Sequence, residues 1–196
     1  FCVLDRLGFE RRLPLDEYGL SWVQPDLPLA HPLDGGRAVA MHQSLEETAL
    51  GLGGDAGRYR WLNGPLADRW RAVLDEVLQP VLHLPRAPLL LARFGLRAIW
   101  PAQLLGQGLF RTEEARALLA GLAAHSNLPL SALGSTAFGL VLGMAGHAVG
   151  WPFPKGGAGA ITQALADYLR DLGGTIETGR RVHSVDDLPS GQIGRA

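Results

Sequence analysis

Apolar and polar positions follow two different rhythms along this chain, and the change between them divides it. Over residues 1–43 the apolar runs are short and densely punctuated, which predicts β structure. Leu20, Ser21, Trp22, Val23 and Gln24 form one short strand closed by Pro25. Residues 29–33 and 37–41 flank Asp34-Gly35-Gly36, a turn in which glycine takes positive φ without steric cost. Pro32, beside that turn, marks its strand as an edge.

From Ser44 the rhythm becomes helical. Ser44-Leu45-Glu46-Glu47 has the S-x-x-E spacing of a capping box and places a helix start at Ser44; the glycines over 51–54 end that helix. A second helix begins near Asp55 and is expected to break at Asn63-Gly64-Pro65. A third, over 66–78, sets Leu66, Trp70, Val73, Leu74 and Val77 on one face and ends before Pro80. Pro85 and Pro88 bracket a linker, after which 89–105 reads as one nearly uncharged helical stretch. Thr112 followed by Glu113 and Glu114 is an N-cap with acids that complement the helix dipole, opening a helix over 115–124.

Residues 131–150 contain no Asp, Glu, Lys or Arg. The segment is long enough to span a bilayer, and Gly139/Gly143 and Gly146/Gly150 have the spacing of close helix contacts in membranes. Ser131, Ser135, Thr136 and His147, with no aromatic or basic anchors at the ends, favour a buried helix packed tightly on its neighbours. An integral membrane protein built on this segment is the rival reading.

Composition narrows the class. The 196 residues are 47% hydrophobic and 19% charged, enough for a real core. Net charge is −1 with no run of Lys or Arg, so charge lends no support to nucleic-acid or anionic-membrane binding. The single cysteine, Cys2, excludes an internal disulfide or a cysteine metal cluster and agrees with a cytoplasmic setting. No secretory leader follows Phe1, and both ends read as cut from a longer protein.

Reactive constellations are scarce. His31, His42, His83, His125, His147 and His183 show no metal-ligand spacing, and no serine sits in a G-x-S-x-G elbow. The carboxylate pairs at 46/47, 113/114 and 186/187 are sequence neighbours and do not face one another. The richest stretch is Trp151-Pro152-Phe153-Pro154-Lys155-Gly156-Gly157. It leads into a helix over 158–172, then Gly173-Gly174, then a short strand and turn over 175–182 ending at Val182. Gly157-Ala158-Gly159-Ala160-Ile161-Thr162 fails the dinucleotide fingerprint. Thr162 stands at the third glycine, and Pro152 and Pro154 bar a central parallel strand before it. What remains is a helix N-terminus whose amides can face a cofactor, or a glycine pair that merely turns the chain. Trp151 is the tryptophan expected to line a cavity.

Through these stretches the chain resembles the phytoene dehydrogenase-like FAD-dependent oxidoreductases of the amine oxidase and carotenoid desaturase superfamily. Pro28-Leu29-Ala30-His31-Pro32-Leu33-Asp34-Gly35-Gly36-Arg37, Leu91-Ala92-Arg93-Phe94-Gly95-Leu96 and Ala124-His125-Ser126 extend the likeness over residues 13–189. The resemblance implies an FAD enzyme that removes hydrogen from an apolar, isoprenoid or carotenoid-like small molecule. It implies an α+β fold: residues 1–150 as a substrate domain with a mixed β-sheet and a helical insertion, and 151–196 as one helix-strand unit of the flavin domain. Val182 would meet the FAD adenine through its backbone, Gly156 and Gly157 would neighbour the cofactor or substrate channel, and Trp151 would touch substrate. The family's G-x-G-x-x-G and its closing C-terminal segment are missing, so this stretch alone is expected to be inactive, and it names no catalytic residue or metal. The alternative is a non-catalytic hydrophobic-ligand-binding or membrane-peripheral domain.

Overall fold

A computed structural model describes residues 13–80, 84–184 and 187. Cys2, His83, Asp186 and the residues after 187 lie outside the described residues, as does the β reading of 1–12.

The fold is mixed α and β. In chain order it runs β1 (Trp22–Val23), β2 (Leu29–Pro32), β3 (Ala38–Met41), α1 (Leu45–Gly51), α2 (Ala56–Ala67), α3 (Trp70–Val77), α4 (Pro88–Ala98), α5 (Ala102–Leu109), α6 (Glu113–Ala124), α7 (Ser135–Val149), β4 (Phe153–Pro154) and α8 (Gly159–Asp171). The expected hairpin forms, with Leu29 opposite Met41 and Pro32 opposite Ala38, and Leu33 N–H closing it on Arg37 O at 2.8 Å. Gly35 and Gly36 supply the positive φ of the turn. Among the described residues, however, there is no mixed sheet: β1 pairs with β4 and β2 with β3, each as a separate antiparallel ribbon. Strands of two and four residues carrying Pro32 and Pro154 cannot serve as central strands.

Both predicted caps hold. Ser44 Oγ accepts from Glu47 N–H at 3.2 Å, and Thr112 Oγ1 accepts from Ala115 N–H at 3.3 Å. Three helical boundaries differ from expectation. Helix α2 continues through Pro65 to Ala67, because Tyr59, Leu62, Asn63 and Leu66 bury along one face and packing offsets the missing hydrogen bond. Helix α3 accordingly starts only at Trp70. The stretch 89–105 is two helices, α4 and α5, divided at Pro101. The strand expected over 175–178 does not form among the described residues; this segment leaves α8 exposed, with no neighbouring edge to complete a ladder.

Helix α7 is the expected buried helix. It packs on α6, α2 and α4, with Leu140 and Met144 fully buried, and its glycines set the spacing. A Cβ on Gly139 would lie 3.2 Å from the Ala123 backbone nitrogen of α6. One on Gly143 would lie 3.1 Å from Asn63 Oδ1 of α2. No helix among the described residues is long and apolar enough to cross a membrane. A smaller cluster stands apart from this core: Ala164 of α8 packs on Leu15 and Leu20, with Tyr18, Trp22 and Tyr168 around it. Residues near both ends of the described chain therefore build one unit, joined to the main body through the β1–β4 ribbon.

Candidate functional site

Trp151 emerges from α7 through Gly150, whose positive φ turns the chain, and lies half-buried against the main core. Its surroundings are made of glycines and imidazoles. Gly146 lies beneath it, and an added Cβ there would sit 3.3 Å from the indole nitrogen and collide with Met41 Cε. The His125 ring stands edge-on to the indole at 6.5 Å, and its Nδ1 bonds to the Gly121 carbonyl at 3.1 Å. A carbonyl only accepts, so Nδ1 carries the proton. On the next glycine surface, His31 of β2 lies so close over Gly121 that any Cβ would clash with its ring. His31 Nε2 is buried with no hydrogen-bond partner, and burial, followed by the charge of His125, pushes its pKa down. His31, the His125 ring and the Trp151 indole together make an aromatic wall.

Gly156 and Gly157 adopt φ of +85° and +94°, with open space where a Cβ would stand. Gly157 N–H closes a turn on Pro154 O at 3.0 Å, and α8 follows without a side-chain cap. The pair thus turns the chain, and it leaves a helix start open. Val182 is 51% exposed. Around it, Arg180 pairs with Glu177 at 3.1 Å and donates to Asp187 O at 3.0 Å. Asp187 Oδ2 accepts from His183 N–H at 2.7 Å and Ser184 N–H at 3.0 Å, bonds that hold its pKa below the ordinary carboxylate range. No described hydrogen bond engages the Val182 backbone, and none links Val182 to Gly156 or Gly157. The structure brings Trp151 to the core and leaves the other three expected residues open on the surface.

Sequence reading passed over two polar assemblies. In the first, His147 Nδ1 bonds to the Gln43 carbonyl at 3.1 Å, which fixes the proton there; Nε2 then accepts from Tyr59 O–H at 2.7 Å. Burial pushes the Tyr59 hydroxyl pKa up and the His147 pKa down, so both stay neutral. In the second, fully buried Asp55 accepts at Oδ2 from Arg111 N–H (2.8 Å), Thr112 N–H (2.7 Å) and the Thr112 hydroxyl (2.8 Å), and at Oδ1 from Arg58 (3.0 Å). Burial alone would raise its pKa; the bonds from Thr112, Arg111 and Arg58 outweigh it and hold the group below the usual range. Both assemblies tie distant helices together. The spacing of 88 residues between Tyr59 and His147 leaves no local sequence signal.

A cleft of about 510 Å³ opens between α5 and α6. Its floor is Ala102, Gly106, Ala117 and Ala120, with Glu113 and Arg116 on its rim. Trp151 does not line it. No three of the described His, Cys, Asp and Glu side chains gather in a way that could hold a metal. Comparison of the chain with protein-family models, curated proteins and solved structures finds no match.

Proposed function

We propose that this chain is the substrate-side portion of an FAD-dependent oxidoreductase acting on an apolar substrate. The observation that carries the reading is the order α7, Trp151, β4, the Gly156-Gly157 turn and α8, ending in an exposed extended segment. That segment has the residue types of a strand and no ladder of its own. Val182 fits the adenine end of the cofactor to this extent: the residue is half-exposed and no described hydrogen bond engages its backbone, which leaves the peptide group for a purine. The phosphate-binding loop is not among these 196 residues, and in this reading polypeptide outside them supplies it. When bound, the flavin would carry the redox chemistry. The chain's own share is then to position substrate, for which an apolar wall of Trp151, His125 and neutral His31 and a helix α7 devoid of charge are suited.

A second reading, a non-catalytic binder of apolar ligands, is favoured by the cleft between α5 and α6. One experiment separates them. The polypeptide is expressed with its flanking coding sequence, and its visible spectrum and its binding of a fluorescent fatty acid are recorded. A bound-flavin band that weakens on Val182→Pro, which removes a backbone donor, supports the first reading. A colourless folded protein that retains the fatty acid overturns it in favour of the second.

A further inference from the structure

The outer face of α4 carries apolar residues where a water-facing helix carries polar ones. Leu89, Ala92, Leu96 and Ile99 share that face by helical spacing and all four are exposed, Leu89 at 87% and Leu96 at 73%. Trp100 continues the stripe. The inner face sends Leu90, Phe94 and Ala98 into the core, with Arg97 buried beside them over the Trp61 ring. The stripe also widens beyond the helix. Gly134 N–H donates to Ile99 O at 2.8 Å and Thr136 N–H to Trp100 O at 3.4 Å, which lashes the start of α7 alongside and adds exposed Leu133 and Phe138. Scattered exposed leucines are ordinary on a protein surface; a contiguous row ending in tryptophan is not.

The chain that builds this face carries basic charge alone between its two flanking acids. No Asp or Glu occurs between Glu76 and Glu113. Arg93, on the flank of the stripe, and Arg69, at the start of α3, line a cleft of about 350 Å³ that Leu89 also borders, with Asp68 on its wall. No described ion pair engages Arg69 or Arg93. The two come from different helices, so no basic run in the sequence announces them.

We propose that the α4 stripe, with Trp100, Leu133 and Phe138, docks in the plane of a bilayer containing anionic lipid, Arg69 and Arg93 taking up headgroup phosphates. Leucine and aromatic side chains on one face, flanked by arginine, are the chemistry of a helix lying in the membrane interface, which needs no spanning segment. The charge favours this occupant over a second copy: with Arg69 and Arg93 against the single Asp68 the cleft is net positive, and a two-fold contact would bring two such clefts together. The proposal is independent of the flavin reading.

The test is co-sedimentation of the protein with vesicles of phosphatidylcholine, with and without phosphatidylserine. The expected result is binding that strengthens with phosphatidylserine and weakens with salt. The exposed double substitution Leu96→Glu/Ile99→Glu is expected to weaken it at least about tenfold, and Arg93→Glu about fivefold or more. Leu50→Glu, at an exposed leucine of α1 outside the stripe, leaves binding unchanged, and circular dichroism is the same for all variants. Indifference of the folded protein to both vesicle types overturns the proposal, as does an equal loss with Leu50→Glu. A dimer in light scattering that Leu96→Glu/Ile99→Glu dissociates assigns the face to a second copy and overturns it too. A colourless protein that binds vesicles leaves it standing.

Discussion

Asp55 shows at the level of one residue how a buried charge is made tolerable. It has no exposed atom to hydrate, yet four donors converge on its two oxygens, two of them the first free amides before α6. Removing the charge strands those donors, so Asp55→Asn is expected to cost about 3 kcal/mol at neutral pH, read by urea denaturation. The pH dependence has a definite sign. The folded-state pKa is depressed, so the stabilisation is complete above the ordinary aspartate value of about 3.9 and is lost as pH falls through the lower folded value. The difference between the protein and Asp55→Asn should therefore narrow below that pH; a constant difference contradicts the account. Trp151 is a residue whose surroundings were hidden in the sequence. Its wall depends on Gly121, Gly146 and His31, and glycines bare of Cβ reveal what they admit only once three elements meet.

Among the elements, those whose ends are set by local chemistry were legible. The hairpin at Gly35-Gly36 and the caps at Ser44 and Thr112 each depend on residues within a few positions of one another. Where packing decides, the reading failed: α2 carries Pro65 because Leu62 and Leu66 bury on either side of it. The failed strand over 175–178 has the matching cause, since a β-like composition needs a partner edge. The apolar run through 89–105 masked the break at Pro101, because side chains on both sides of it enter the same core. The contact of α6 with α7 gives a prediction on this scale. Gly139 faces backbone of Ala123, which cannot swing aside as a side-chain tip can. Gly139→Leu should force the helices apart and cost about 1–3 kcal/mol by thermal or urea unfolding, and an unchanged midpoint would mean the helices have slack.

At the scale of the molecule, two unequal clusters share one chain. The larger gathers β3 and helices α1–α7, whereas α8 holds a single fully buried side chain, Ala164, over Leu15 and Leu20. Apolar burial being the main restraint on opening, α8 should exchange its amide hydrogens well before α7 in native-state hydrogen exchange. Equal protection of the two helices would show that they open together. Tyr18 partly restrains α8, donating to Asp171 at 2.6 Å, a bond that raises its own pKa to about 12. The ribbon that joins the clusters has a consequence for how the protein keeps to itself. Lys155 N–H reaches Ser21 O, so in an antiparallel ladder the amides of residues 153 and 155 point at β1 and residue 154 points away. That outward position is Pro154, and Pro152, two residues earlier, has the same parity. Neither proline can donate an amide hydrogen, so the outer side of β4 lacks, at both positions, the donors that intermolecular β structure would need.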